Sequence, residues 1–291
     1  MTQTLPPRPV VNPVAAAADD ARLRWTIRTL GNLLGETIIE QEGREVFDLE
    51  EEIRSLAKAR RADGPDAAQQ ILARVEELVT DLDRTKAVLK AFTTYFQLVN
   101  LAEEQQRVRV LWERANRAER EGRTMRETIA AAVATLKAEG ITSDQVQELL
   151  TDLTIMPVFT AHPTESKRRT ILIKLRALSE LLHELDFHKL LPSEEQQHLQ
   201  RSREIITGLW QSDENRDRRP TVLDEVREGL YFFEATLFDL IPQIYRELAR
   251  ALEMHYPEQQ FTLPSFLRYG SWMGGDRDGN PFVTLDVTEE T

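Results

Sequence analysis

Apolar residues along most of this chain recur every three or four positions, the spacing of one face of a helix. Leu23, Ile27, Leu30, Leu33, Leu34 and Ile38 keep that spacing, and Gly43 ends the run. Gly64-Pro65 closes a second helix, and another is predicted from about Asp66. A long helix follows over about 83–118, with Val88, Phe92, Tyr95, Phe96, Val99, Leu101 and Val108 as its apolar positions. Gly122 and Gly140 punctuate the segments after it. No internal repeat of fixed period is present.

Beyond residue 153 the period changes. Ile155 to Thr160 is short, apolar and partly β-branched, and Pro157 interrupts it. It reads as a short strand whose start tolerates proline. A helix is predicted over about 165–188, and another from Pro192, with Ser193 as its N-cap. A polar stretch over 211–220 separates these from a helix over about 222–255, which Pro242 should kink. Phe266 to Trp272 reads as a second short strand that runs directly into Met273–Pro281.

The pattern divides the chain in three. Residues 1–20 are Pro- and Ala-rich and are expected to be a disordered lead-in. Residues 21–153 form a helical region, and 154–291 contain the strands. Both strands lead into polar loops, the layout of barrel strands whose carboxyl ends carry a site. Two strands do not close a barrel. Thr288-Glu289-Glu290-Thr291 also reads as a helix start, with Thr288 capping and acids behind it. The expectation is an N-terminal piece of something larger: mainly α-helical, and the beginning of a helix-rich TIM-like α/β barrel with strands near 155–160 and 266–272.

Composition narrows the classes. A net charge of −12 opposes general nucleic-acid binding, which needs a basic face. It leaves room for a local basic pocket. The chain has no cysteine, so it has no disulfide framework and no thiolate chemistry, consistent with the cytoplasm. No apolar run approaches membrane-spanning length, and the start lacks the charged and apolar regions of a signal peptide.

The candidate chemistry lies at the two strand ends. Val158-Phe-Thr-Ala-His-Pro-Thr-Glu-Ser-Lys-Arg-Arg169 places His162 and three cations where a helix is predicted to begin. A helix N-terminus already carries partial positive charge and free N–H groups, so Lys167, Arg168 and Arg169 are not there for helix electrostatics. Together they make a receptor for phosphate or carboxylate. Positive surroundings favour a neutral imidazole at His162, able to take a proton. A structural histidine capping a loop is the competing reading. The cations could equally face water, and helical spacing keeps all three from sharing one pocket.

The second loop is Gly274-Gly275-Asp276-Arg277-Asp278-Gly279-Asn280-Pro281. Its glycines allow close backbone approach to a ligand. Arg277 could be held by Asp276 and Asp278 while its fork meets an anion. An Asx-rich surface turn is the alternative. An EF-hand is excluded, because the glycine falls at the wrong loop position and Val287 stands where the last acid belongs. The mixed-sign run 213–221 reads as a solvated loop. His183, His188, His198 and His255 have no metal-ligand spacing. Walker and GxGxxG loops are absent.

These residues resemble a known family, the phosphoenolpyruvate carboxylases. Thr160-Ala-His-Pro-Thr-Glu165 followed by Arg168-Arg169 is similar to that family's histidine signature. Gly270-Ser-Trp-Met-Gly-Gly-Asp-Arg-Asp-Gly-Asn-Pro281 is similar to its second signature. Leu30-Gly-Asn-Leu-Leu-Gly-Glu36, and Arg219-Pro-Thr221 with Asp224-Glu225, resemble further family positions less specifically. The resemblance implies carboxylation of phosphoenolpyruvate by bicarbonate to oxaloacetate and phosphate, with Mg²⁺ or Mn²⁺. It implies His162 as catalytic residue and Arg168, Arg169 and Arg277 as anion holders. Asp276, Asp278, Gly274 and Gly275 would support the loop. No metal ligand is expected in this chain, since the family's acidic ligands lie further along. A homotetramer is the family's usual assembly. The expectation is a fragment inactive alone; a non-catalytic helical interaction protein that keeps these motifs is the alternative.

Overall fold

The computed structural model describes residues 16–62, 73, 75, 76, 81–160, 168–213 and 221–291. Its elements are α1 (Ala16–Glu42), α2 (Arg44–Ala62), α3 (Leu82–Arg120), α4 (Ile129–Ala138), α5 (Ser143–Asp152), β1 (Val158–Phe159), α6 (Arg169–Phe187), α7 (Pro192–Trp210), α8 (Val222–Phe232), α9 (Phe238–His255), β2 (Gly270–Ser271) and α10 (Leu285–Glu290). A π turn over Phe233–Leu237 joins α8 to α9. The chain is mainly helical, as expected. Residues 16–20 of the expected lead-in already belong to α1. Of the helix expected from Asp66, only Ala73, Val75 and Glu76 are described, and they are helical.

Two compact units form. Residues 1–113 and 170–214 make one; residues 114–169 and 215–291 make the other. The sequence reading divided the chain at 153/154, whereas α6 and α7 pack with the N-terminal helices. They do so because their apolar faces complete one core: Leu30, Leu34 and Ile38 of α1, Leu98 of α3, Leu178 of α6 and Ile206 of α7 are all buried together.

In the first unit, Gly43 takes a left-handed φ of 92°, which lets α2 begin one residue after α1 ends. Gly35 lacks the Cβ that would stand 2.8 Å from the Phe47 ring, so α1 and α2 approach closely. Arg22 is buried and paired to Asp186 at 2.6 Å. Of the apolar positions expected on α3, Val88 and Leu101 are buried, whereas Phe96 and Val108 are 58% and 45% exposed. The buried residues are Ala87, Val88, Ala91, Thr94, Leu98, Leu101, Ala102, Gln105 and Arg109. They keep helical period, but many of them are small or polar. Selecting the large apolar residues therefore picked a partly different face.

In the second unit, Val133, Val146, Leu150, Leu248, Leu252, Tyr256 and Phe266 form the core. The expected strands pair in parallel, Val158 with Gly270 and Phe159 with Ser271, and Ile155 bridges Leu267 in the same register. Pro157 carries no N–H, so the ladder lacks one donor between the bridge and β1. The Pro157 carbonyl still accepts from Gly270 N at 2.9 Å. A closed barrel is not seen among the described residues.

Three boundaries differ from expectation. The helix expected over about 222–255 is interrupted by the π turn, which ends before α9, and Pro242 sits inside α9. Helix α7 is not capped by Ser193. Pro192 takes its first turn, and the Glu194 carboxylate accepts the Leu191 N–H at 2.7 Å. Helix α10 is capped by Thr284, whose Oγ1 accepts from Val287 N. Thr288 lies inside it and donates to the Gly274 carbonyl at 2.7 Å.

Candidate functional site

Parallel, in-register pairing sends β1 and β2 out of the sheet at the same edge. The Phe159 carbonyl accepts from Trp272 N at 2.8 Å, so the chain leaving β1 and the chain leaving β2 start side by side. One leads into 160–169, the other into 272–281.

Helix α8 and the π turn form the floor beneath these exits. The Phe159 ring lies 5.4 Å from Phe233 and 6.0 Å from Tyr269. Met273, just past β2, packs on Gly229, where an added Cβ would stand 3.0 Å from its sulfur. Phe159, Gly229, Phe233, Tyr269 and Met273 line a cavity of about 220 Å³. Helix α8 is held at its start by a reciprocal cap. Thr221 Oγ1 accepts from Asp224 N at 3.2 Å, and Asp224 Oδ2 accepts from Thr221 N at 3.0 Å. Thr221 and Asp224, two of the less specific resemblance positions, therefore have a structural role in positioning the floor.

His162 and Lys167 lie outside the described residues. Arg168 is half-buried and precedes α6 rather than lying inside it. Arg169 is the first residue of α6, a later start than expected. Its guanidinium stands 3.6 Å from Glu234 and 5.2 Å from the Tyr231 ring centroid. Phe159 and Arg169, on either side of 161–167, thus both rest on α8 and the π turn.

The second loop is exposed from Gly275 to Phe282. Asp276 and Asp278 do not hold Arg277 by an ion pair. Asp276 Oδ1 instead accepts from Asp278 N at 3.1 Å, and Asn280 Oδ1 from Phe282 N at 3.1 Å. These two Asx turns shape the loop and leave the Arg277 fork turned to solvent. Gly274 is buried with φ of 74°, and Gly279 has φ of 72°. Those are left-handed values that a Cβ disfavours. Gly275 is exposed, open to close approach.

Sequence reasoning missed Gly229, Tyr231 and Glu234. A signal was present: Tyr231-Phe232-Phe233 puts three aromatics in a row, which one helix face cannot bury.

This arrangement brings the starts of both motif loops together at the carboxyl ends of two parallel strands, where α/β enzymes place their chemistry. The comparisons make the class specific. The family model for phosphoenolpyruvate carboxylase matches residues 23–291, and the chain belongs to that family. The phosphoenolpyruvate carboxylase of Roseiflexus castenholzii is 50% identical over 272 residues, covering 93% of this chain and 28% of the relative. That of Rhodothermus marinus is 40% identical over 266 residues, covering 91% of this chain and 28% of the relative. That of Thermus thermophilus is 40% identical over 272 residues, covering 92% and 29%. The chain thus spans under a third of the length of these relatives.

Proposed function

We propose that this chain supplies the histidine and arginine part of a phosphoenolpyruvate carboxylase site, joining phosphoenolpyruvate and bicarbonate to give oxaloacetate and phosphate. The supporting observation is the shared sheet edge from which both motif loops start. His162 follows Phe159 by three residues, so the chain can carry it at most ~11 Å from that edge.

The phosphoryl group passes from phosphoenolpyruvate to bicarbonate, leaving the enolate and carboxyphosphate. His162, neutral, takes the carboxyphosphate proton, and the C–O bond to phosphate breaks to release CO₂. The enolate carbon attacks CO₂ to give oxaloacetate. Arg168, Arg169 and Arg277 hold the anions through this sequence. Arg169 is released for the task at little cost, because its pair with Glu234 is exposed on both sides. Gly274, Gly275, Asp276 and Asp278 shape the loop that presents Arg277.

Mg²⁺ or Mn²⁺ belongs to the family expectation. Among the described residues no three His, Asp or Glu side chains are grouped to hold a metal. They do not fit one, and no step here runs through it. Among the described residues, no helix is long and apolar enough to cross a membrane. Cytoplasmic location and homotetrameric assembly complete the proposal.

The test is oxaloacetate formation by this chain alone and by a chimera completed with the remaining portion of the Roseiflexus castenholzii relative. Turnover in the chimera alone supports the reading. Turnover in the short chain, or in neither, contradicts it.

A further inference from the structure

Another cavity lies between α1 and α2 over Tyr95 of α3 and has a volume of about 680 Å³. Its walls are Ile27, Leu34, Ile38, Ile39 and Phe47, and its charged residues come in two kinds. Glu50 of α2 is 7% exposed and has no hydrogen-bond or ion-pair partner among the described residues. Arg54, one turn on, does not neutralise it. Arg54 Nε donates instead to Glu51 at 2.8 Å. Arg28 of α1 and Arg44 of α2 also line the cavity, exposed and without a carboxylate partner among the described residues.

The buried Glu50 carboxyl and the Arg28 and Arg44 guanidiniums, none with an ion-pair partner among the described residues, thus share one cavity. A carboxyl group buried without a partner is costly unless something supplies a cation or a donor. Glu51 adds negative charge beside Glu50, which makes the floor favour a cation over a second anion. That mutual repulsion adds to burial in raising the Glu50 carboxyl to about 7, against weaker lowering by Arg54 and Lys58. Arg44 precedes Glu50 by six residues on one helix, a rise of about 9 Å. The wall between floor and rim is apolar.

We propose that this cleft binds a small zwitterion, an ammonium joined to a carboxylate by an aliphatic stem. The ammonium meets Glu50 at the floor, the carboxylate meets Arg28 and Arg44 at the rim, and the stem lies on Ile27, Ile38 and Phe47. Gly31 leaves the α1 wall without a side chain beside the Tyr95 ring, and Gly35 lets the Phe47 ring lie against that wall. The remaining charged groups facing Glu50 are Arg24 and Glu36 of α1 and Glu51, Arg54 and Lys58 of α2, with the Tyr95 hydroxyl of α3 nearby. Glu36 is drawn toward Arg203, 3.8 Å away.

The probe is 6-aminohexanoate, titrated calorimetrically into the whole chain, with hexanoate and hexylamine as single-group deletions. Saturable binding of 6-aminohexanoate is expected, with each deletion at least tenfold weaker. Binding should tighten from pH 6 to pH 8 as Glu50 ionises. Glu50→Gln and, separately, Arg28→Met should each weaken it at least tenfold. Arg28→Met lies at the exposed rim and tests the site even if Glu50→Gln perturbs folding. No binding of 6-aminohexanoate, equal binding of hexanoate, weakening toward pH 8, or an unaffected Arg28→Met variant overturns the proposal.

Discussion

Two arginine–carboxylate pairs, one in each unit, show how differently the same chemistry is used. Arg22 and Asp186 are 2% and 8% exposed and 2.6 Å apart. Arg169 and Glu234 are 64% and 71% exposed and 3.6 Å apart. The buried pair has lost its water, and each charge depends on the other. The exposed pair keeps its water and trades partners at little cost. The first therefore serves the fold, while the second leaves a guanidinium at the surface beside the strand exits.

Breaking the buried pair should have the largest effect. Asp186→Asn leaves Arg22 charged inside the core, and unfolding free energy should fall by ~3 kcal/mol or more. Denaturant titration reads this directly.

Glu50 sharpens the same contrast, as a buried acid without any pair. Its folded pKa is raised from 4.5 to about 7, mainly by burial. The folded state therefore binds the proton more tightly than the unfolded state. The stabilisation is fully present below pH 4.5 and is lost as pH rises through about 7. Glu50→Gln should remove that slope and raise stability at pH 8 by up to about 3 kcal/mol. A pH series of unfolding midpoints for both proteins checks it.

A smaller effect is expected at the α8 cap. Thr221→Ala removes the acceptor for Asp224 N and should cost about 1 kcal/mol. The floor under the strand exits loosens with it, so in the carboxylase chimera turnover should fall as well. Glu234→Gln should cost least, under ~0.5 kcal/mol, because the pair is exposed. Its effect should appear in binding: freeing Arg169 lowers KM for phosphoenolpyruvate in the chimera, while kcat changes little.

The helices were legible because burial writes itself into the spacing of Leu30, Leu33, Leu34 and Ile38, all of which are buried. Both strands were legible too, and their pairing gives the change of period at 155–160 its meaning. Helix α3 was harder. Its buried stripe holds Ala87, Ala91 and Thr94, which hydrophobic spacing underrates. The π turn was not legible, since the Phe233 ring within it packs on Phe159, a contact distant in sequence that no local residue pattern marks. In the second loop the residues were recognised but not their partners. Asp276 turns its oxygen to the backbone of Asp278 instead of to Arg277. The Glu50 cleft was missed because nothing in a helical run marks an acid as buried and unpaired.

The central claim is that the chain beyond β1 carries the base of a carboxylase. The most direct measurement is the oxaloacetate rate of the completed chimera with His162→Asn. The account predicts a fall of about 10² to 10⁴-fold with KM for phosphoenolpyruvate little changed. An unchanged rate would mean that the proton is taken by another group and that His162 only shapes its loop.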